Sequence, residues 1–200
     1  MREIEKVLDD KEKVFWEGAP KFGPFVLGGS ILFIFFGLIW MVFLIPFTFA
    51  MGSAIFLLPH FWIGLVLIIG VPLYLFLVHS RTYYAITNKR VLIQTGVIGR
   101  DFKMVDFDQI TNAEVNVGLF DKVFGGNSGT ILISTAGTFI SGKHGPVAAP
   151  YNLSNIENPY EVFKFFKKVS HAVKTDVHYP NKYRPKSNPG YNTEVDPKGI

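Results

Sequence analysis

Four basic side chains, Lys89, Arg90, Arg100 and Lys103, stand close together in one β-rich stretch and are the candidate contacts for an anionic surface. Lys164, Lys167 and Lys168 form a second basic group. Their chemistry is attraction without reaction, since each Lys or Arg beside an anionic bilayer contributes about 1 kcal/mol. Thr87-Asn88-Lys89-Arg90 also reads as a plain hairpin turn, with Asn88 tolerating a positive φ, and that reading is favoured. Charge reversal at both Lys89 and Arg90 is expected to leave folding intact and to weaken attraction to lipid. Gly125-Gly126-Asn127-Ser128-Gly129 could cradle a phosphate on its amides. It lacks the Lys-Ser ending of a nucleotide loop and precedes a strand, so a turn is expected. Histidines 60, 79, 144, 171 and 178 have no metal-ligand spacing. Asp101, Asp106, Asp108 and Glu114 are scattered, and no nucleophile–base pair can be named. The chain therefore reads as non-enzymatic, with no cofactor and no metal. Asn152-Leu153-Ser154 matches a glycosylation sequon, which a cytoplasmic placement makes inert.

These side chains must be positioned by two very different kinds of segment. Residues 22 to 80 contain no Asp, Glu, Lys or Arg. That is long enough for two membrane-crossing helices, each of which needs about 20 apolar residues. The spans are placed at 24–45 and 60–79, joined by an apolar connection between Pro46 and Pro59, with Pro72 as a kink. The slightly acidic N-terminal stretch and the length of the apolar run argue against a cleaved signal peptide. Neither span contains a carboxylate, a Lys or an Arg to mark an ion or proton path, which argues against a transporter. Gly28, Gly29, Gly37, Gly64 and Gly70 offer close-contact points, for self-association or for packing of one span on the other.

Positive charge is confined to the outer flanks, at Lys11, Lys13 and Lys21 before the spans and Arg81, Lys89 and Arg90 after them. Both termini are thus expected in the cytoplasm. The net charge of +4 is too mild for nucleic-acid binding. Without cysteine, thiol chemistry and disulfides are excluded.

Four regions follow: a cytoplasmic segment 1–23, the hairpin 24–80, a cytoplasmic domain 81–176 and a flexible, proline-rich tail 177–200. Within 1–23, Glu3 to Phe15 is expected as a short amphipathic helix presenting Ile4, Val7, Leu8 and Val14. The domain holds seven short β-rich runs, at 82–87, 90–96, 101–107, 112–118, 130–135, 138–142 and 146–153. Links this short require antiparallel pairing. A closing helix starts at Asn158, with Pro159 first and Glu161 in the acidic position of a capping box. Its apolar side carries Val162, Phe163, Phe166, Val169 and Val173.

The stretch "TYYAITNKRVLIQTGVIGRDFKMVDFDQI", with Thr87-Asn88-Lys89-Arg90, Gly96, Arg100 and Ile110, resembles the bacterial-type pleckstrin-homology (PH) domain of small membrane proteins, the YdbS-like group. "LFDKVFGGNSGTILISTAG" resembles the same group's Leu-Phe–Gly turn and following strand. The resemblance covers residues 82–176 and implies a mainly-β, seven-stranded PH-like barrel capped by the C-terminal helix. It also implies a non-catalytic binding or scaffold module that tethers a protein partner or the membrane surface. By analogy with PH domains that hold inositol phosphates, the 87–90 turn would be a headgroup site. An anionic-lipid sensor is one alternative. A membrane enzyme with a site around His79, Arg81 and Tyr83 is the other.

Overall fold

The computed structural model describes residues 3–10, 12–99, 101–135, 139–142, 145–148 and 151–178. Arg100, His144 and the tail from 179 onward lie outside the described residues.

The N-terminal segment departs from its expectation. Ile4–Val7 forms one 3-10 turn, and Val14–Gly18 is a strand, β1, instead of the end of a helix. β1 pairs antiparallel with the first strand after the apolar run, β2 (Tyr83–Thr87), placing Trp16 opposite Ile86. β3 (Arg90–Thr95) and β4 (Asp101–Asp106) complete a four-stranded sheet in the order β1-β2-β3-β4.

The physical reason lies in β2 and β3. Nearly every residue of YYAIT and RVLIQT is buried, so both faces of the sheet need cover. Ile4 packs on Ala85 and Leu92 of the outer face, joined by Val7, Leu8, Val14, Tyr83 and Phe102. The apolar positions of the N-terminal segment therefore pack onto the sheet, Ile4 buried and Val7, Leu8 and Val14 half-buried, though not on a single helix.

The second sheet contains β5 (Ile110–Asn116), β6 (Ser128–Thr135) and β9 (Tyr151–Glu157), in the order β5-β6-β9. β7 (Phe139–Gly142) and β8 (Gly145–Ala148) form a separate two-stranded ribbon. The run expected as one strand at 146–153 is thus divided: its first part pairs with β7 and its second with β6. The barrel expectation is corrected too. The sheets pack face to face but do not close by hydrogen bonding, leaving β4 and β9 as edge strands.

Between the sheets lie Ile86, Val91, Val105, Ile131, Ile133 and Leu153. α4 (Pro159–His178) covers this core with Val162, Phe165, Phe166 and Val169. Phe166 meets Phe107 at 5.9 Å between ring centroids, and each such buried side chain contributes about 1.5–3 kcal/mol. The carbonyl of Asn158 accepts from the N–H groups of Glu161 and Val162 at 3.0 and 3.1 Å, starting the helix where expected. The Asn158 side chain itself accepts from Asn127.

Two stretches of helix are long and apolar enough to cross a membrane, Gly23–Leu57 and Pro59–His79. The first opens with a π-helical turn at Gly23–Gly28 and continues as α1 (Gly29–Met51), straight through Pro46 and past the expected end at 45. A 3-10 segment, Gly52–Leu57, ends it. The second consists of α2 (Pro59–Leu65), a π turn at Val66–Gly70 and α3 (Val71–His79). The π turn sits just before Pro72, which removes a backbone donor and crowds the preceding turn. Four glycines are used within the chain. A Cβ at Gly37 would lie 2.7 Å from Ile68, one at Gly64 2.6 Å from Met41, one at Gly29 3.0 Å from Leu75 and one at Gly28 2.8 Å from Phe120. Little of either helix is covered by the rest of the protein.

Candidate functional site

Because the sheets stay open, a cleft of about 630 Å³ remains between them. β2 and β3 contribute Tyr84, Ile93 and Thr95, and β4 contributes Phe102, Lys103 and Met104. β9 supplies Tyr151, Asn152 and Ser154 from the other sheet, while Phe25 and Thr82 line the end beside the apolar helices. Register explains the lining. Tyr84 stands opposite Ile93, and Ile93 opposite Lys103, so the three share the face turned toward the second sheet.

Tyr84 bridges the cleft. The Ser154 N–H donates to its phenolic oxygen at 3.1 Å, and the phenol donates to the Ser154 carbonyl at 3.4 Å. Burial pushes this phenol up to about 12, against the lowering effect of its bonds to Ser154, so it stays a neutral donor at physiological pH. Lys103 is the one charged residue in the lining, and it has no ion-pair partner among the described residues.

The remaining candidates are dispersed. Arg90 is held by Glu12: Nε donates to Oε1 at 3.1 Å and Nη2 to Oε2 at 2.9 Å. It also meets Asp9 at 3.1 Å and the Val7 carbonyl at 3.2 Å. Thr87 donates to Glu12 at 2.7 Å, and Asn88 exchanges bonds with the Lys13 backbone in both directions. Burial would raise the Glu12 carboxyl. Hydrogen bonds from Arg90, the Asp9 N–H and Thr87, with the Arg90 charge, outweigh that and hold it below its ordinary value. The 87–90 turn is thus a clamp on residues 7–13. Among the described residues the Lys89 ammonium has only an exposed pair with Asp9, at 3.3 Å.

The turn is also distant from the helices in space, although near them in sequence. β2 carries the chain five residues away from the helix exit, roughly 17 Å at 3.3–3.4 Å per residue. The expectation that reversing Lys89 and Arg90 leaves folding intact is replaced, because Glu12 would then face a second acid. Lys164, Lys167 and Lys168 lie exposed on α4, with Lys167 over the Phe163 ring at 5.4 Å.

His79, Arg81 and Tyr83 do not converge. His79 pairs with the Pro20 carbonyl at 2.9 Å between the rings of Phe22 and Phe25. Arg81 donates to the Val97 carbonyl, and Tyr83 packs in the outer-face cluster. The glycine-rich segment is a turn before β6, with Gly126 at φ +65°. It sits over a buried acid, Asp121, which accepts from Ser128 at 2.9 Å and Asn155 at 2.8 Å. A carboxylate there opposes a phosphate.

Sequence reasoning missed the cleft, because its lining comes from strands of both sheets and from a helix base. The alternation of β4 gave no signal: it sets Phe102 and Met104 on one phase and Asp101, Lys103 and Val105 on the other, so it does not point Lys103 inward.

Two packed sheets with a C-terminal helix over the core are the arrangement of a PH-like domain, which fits a binding or scaffold module. Residues 24–168 match the family model of the bacterial PH domain, and the chain belongs to that family. No curated protein and no solved structure matches it.

Proposed function

We propose that this protein is a membrane-anchored, non-catalytic binding module of the YdbS-like kind, whose cleft receives a protein partner at the cytoplasmic face of the membrane. The cleft carries the reading: it lies between two edge strands, beside the base of the apolar helices. Edge strands offer unpaired backbone groups to an extended segment. The apolar helices serve as the anchor, with the domain and both termini cytoplasmic. The pairing of β1 with β2 supports this topology, since it brings the two ends of the hairpin into one sheet. Tethering raises the module's effective concentration for partners at the same surface.

A protein partner is favoured over an anionic headgroup by charge. Among the described residues Lys103 is the one basic side chain lining the cleft, and one basic residue contributes about 1 kcal/mol of attraction. Arg90 is held by Glu12 and Asp9. A charge-reading lipid module needs several free cations converging.

The test is site-specific photo-crosslinking from Asn152 in the full-length protein in native membranes. A discrete protein adduct that disappears in the Lys103→Glu variant is expected. Adducts to lipid alone would replace this reading with the lipid-sensing one.

A further inference from the structure

We propose that two loop tips, the β3–β4 turn at Ile98 and the turn carrying Leu119 and Val123, insert into the bilayer interface and dock the domain flat against the membrane. The proposal rests on the hairpin being membrane-spanning and adds a second, separate membrane contact.

Ile98 is 99% exposed, Leu119 72% and Val123 65%, the most exposed large apolar side chains among the described residues of the domain. Scattered exposed apolar residues are ordinary on any surface. Position sets these apart, because both turns are fastened to the helix bases. Arg81, two residues beyond the end of α3, donates to the carbonyl of Val97, next to Ile98. The other turn lies along the opening of the first helix. A Cβ at Gly23 would sit 2.3 Å from the Phe124 carbonyl oxygen, and one at Gly28 would meet Phe120 at 2.8 Å. Gly23–Gly28 is already inside the charge-free run, so the 119–124 turn occupies the depth at which that run begins.

The chemistry of the second turn agrees. Its one acid, Asp121, is withdrawn into bonds with Ser128, Asn155 and the Gly118 N–H. Lys122 stays exposed, where its stem can lie along apolar surface while its ammonium remains among headgroups. Apolar groups in such a position settle about 5–10 Å into the headgroup–acyl boundary. Docking at two tips would fix the domain's tilt and hold the Phe25 and Thr82 end of the cleft at headgroup level.

The cysteine-free chain permits a direct test with the full-length protein in liposomes. Ile98→Cys, Leu119→Cys and Val123→Cys are each labelled with an environment-sensitive fluorophore, alongside Phe36→Cys in α1 and Lys168→Cys on α4 as references. Quenching is measured with lipids spin-labelled at the headgroup or deep in the acyl chain. Labels at 98, 119 and 123 are expected to show blue-shifted emission and quenching from the headgroup position. The label at 36 should respond to the deep position, and that at 168 to neither. No quenching at 98, 119 and 123 with deep quenching at 36 overturns the docking while the anchor stands. Blue-shifted emission at the tips without lipid quenching means protein contact, and also overturns it. An unquenched label at 36 removes the anchor, and the proposal with it.

Discussion

Glu12 and Arg90 form a two-pronged ion pair that fastens the segment before the apolar helices to the hairpin turn after them. The Glu12 side chain is wholly buried and that of Arg90 only 12% exposed. Removing one partner of a buried pair costs about 3–5 kcal/mol, because the other charge is left without compensation. Glu12→Ala and Arg90→Ala should each lower the unfolding midpoint of the detergent-solubilised protein by an amount consistent with that range. Replacing both with apolar residues of similar volume should cost much less than the sum. Additive losses would mean that the two side chains act separately.

The same pair gives a pH dependence. The folded pKa of Glu12 is below its ordinary value of 4.5. Its stabilising contribution is therefore complete above that value and is lost as pH falls through the lowered, folded one. The difference in melting temperature between wild type and Glu12→Gln should hold steady from neutrality to about pH 5 and shrink below it. A difference that grows with acidification would reverse the sign and refute the assignment.

Tyr84 and Ser154 make the polar bridge across the cleft. Tyr84→Phe keeps the ring and leaves the Ser154 N–H without that acceptor, at a cost of about 1–3 kcal/mol where water cannot replace it. Above pH 10 the wild type should lose stability that Tyr84→Phe does not, since the phenol is raised to about 12 in the fold and must ionise on unfolding. Thermal melts between pH 8 and 11 compare the two. Parallel curves would show that Tyr84 is not held neutral.

Strand positions, the closing helix and the apolar hairpin were legible because each rests on local periodicity or composition. The start of α4 could be read from Asn158 and Pro159, since capping involves neighbours in sequence. What escaped was long-range. Val14 to Gly18 gives no strong strand signal alone and becomes β1 through the open edge of β2, across the whole hairpin. The continuous burial of β2 and β3 was the clue, because a sheet covered on both faces needs a second layer from elsewhere. A fragment beginning at residue 81 would accordingly lack both β1 and the Ile4 cover. The site followed the same rule. Lys103 was named from its charge, but its place in a cleft depends on β9, some fifty residues later. Arg90 was named for the same reason and proves committed to Glu12, which sits before the hairpin.

Gly37 and Gly70 separate helix packing from helix composition. At Gly37 an added Cβ meets Ile68 at 2.7 Å, Leu67 at 3.0 Å and the Gly64 carbonyl at 3.3 Å. Backbone lies among those neighbours, so the helices must move apart, and overpacking of this kind costs about 1–3 kcal/mol. At Gly70 the nearest atom is Val66 of the same helix, at 3.3 Å, and a side chain can give by a few tenths of an ångström. Gly37→Ala should therefore lower the resistance of the full-length protein to denaturing detergent, while Gly70→Ala should leave it close to wild type. Small residues are selected at helix contacts within membranes because apolar lipid provides no hydrophobic drive for association, so close packing must supply it. Equal effects at the two positions would mean that the glycines serve helix flexibility instead of the Gly37–Gly64 contact.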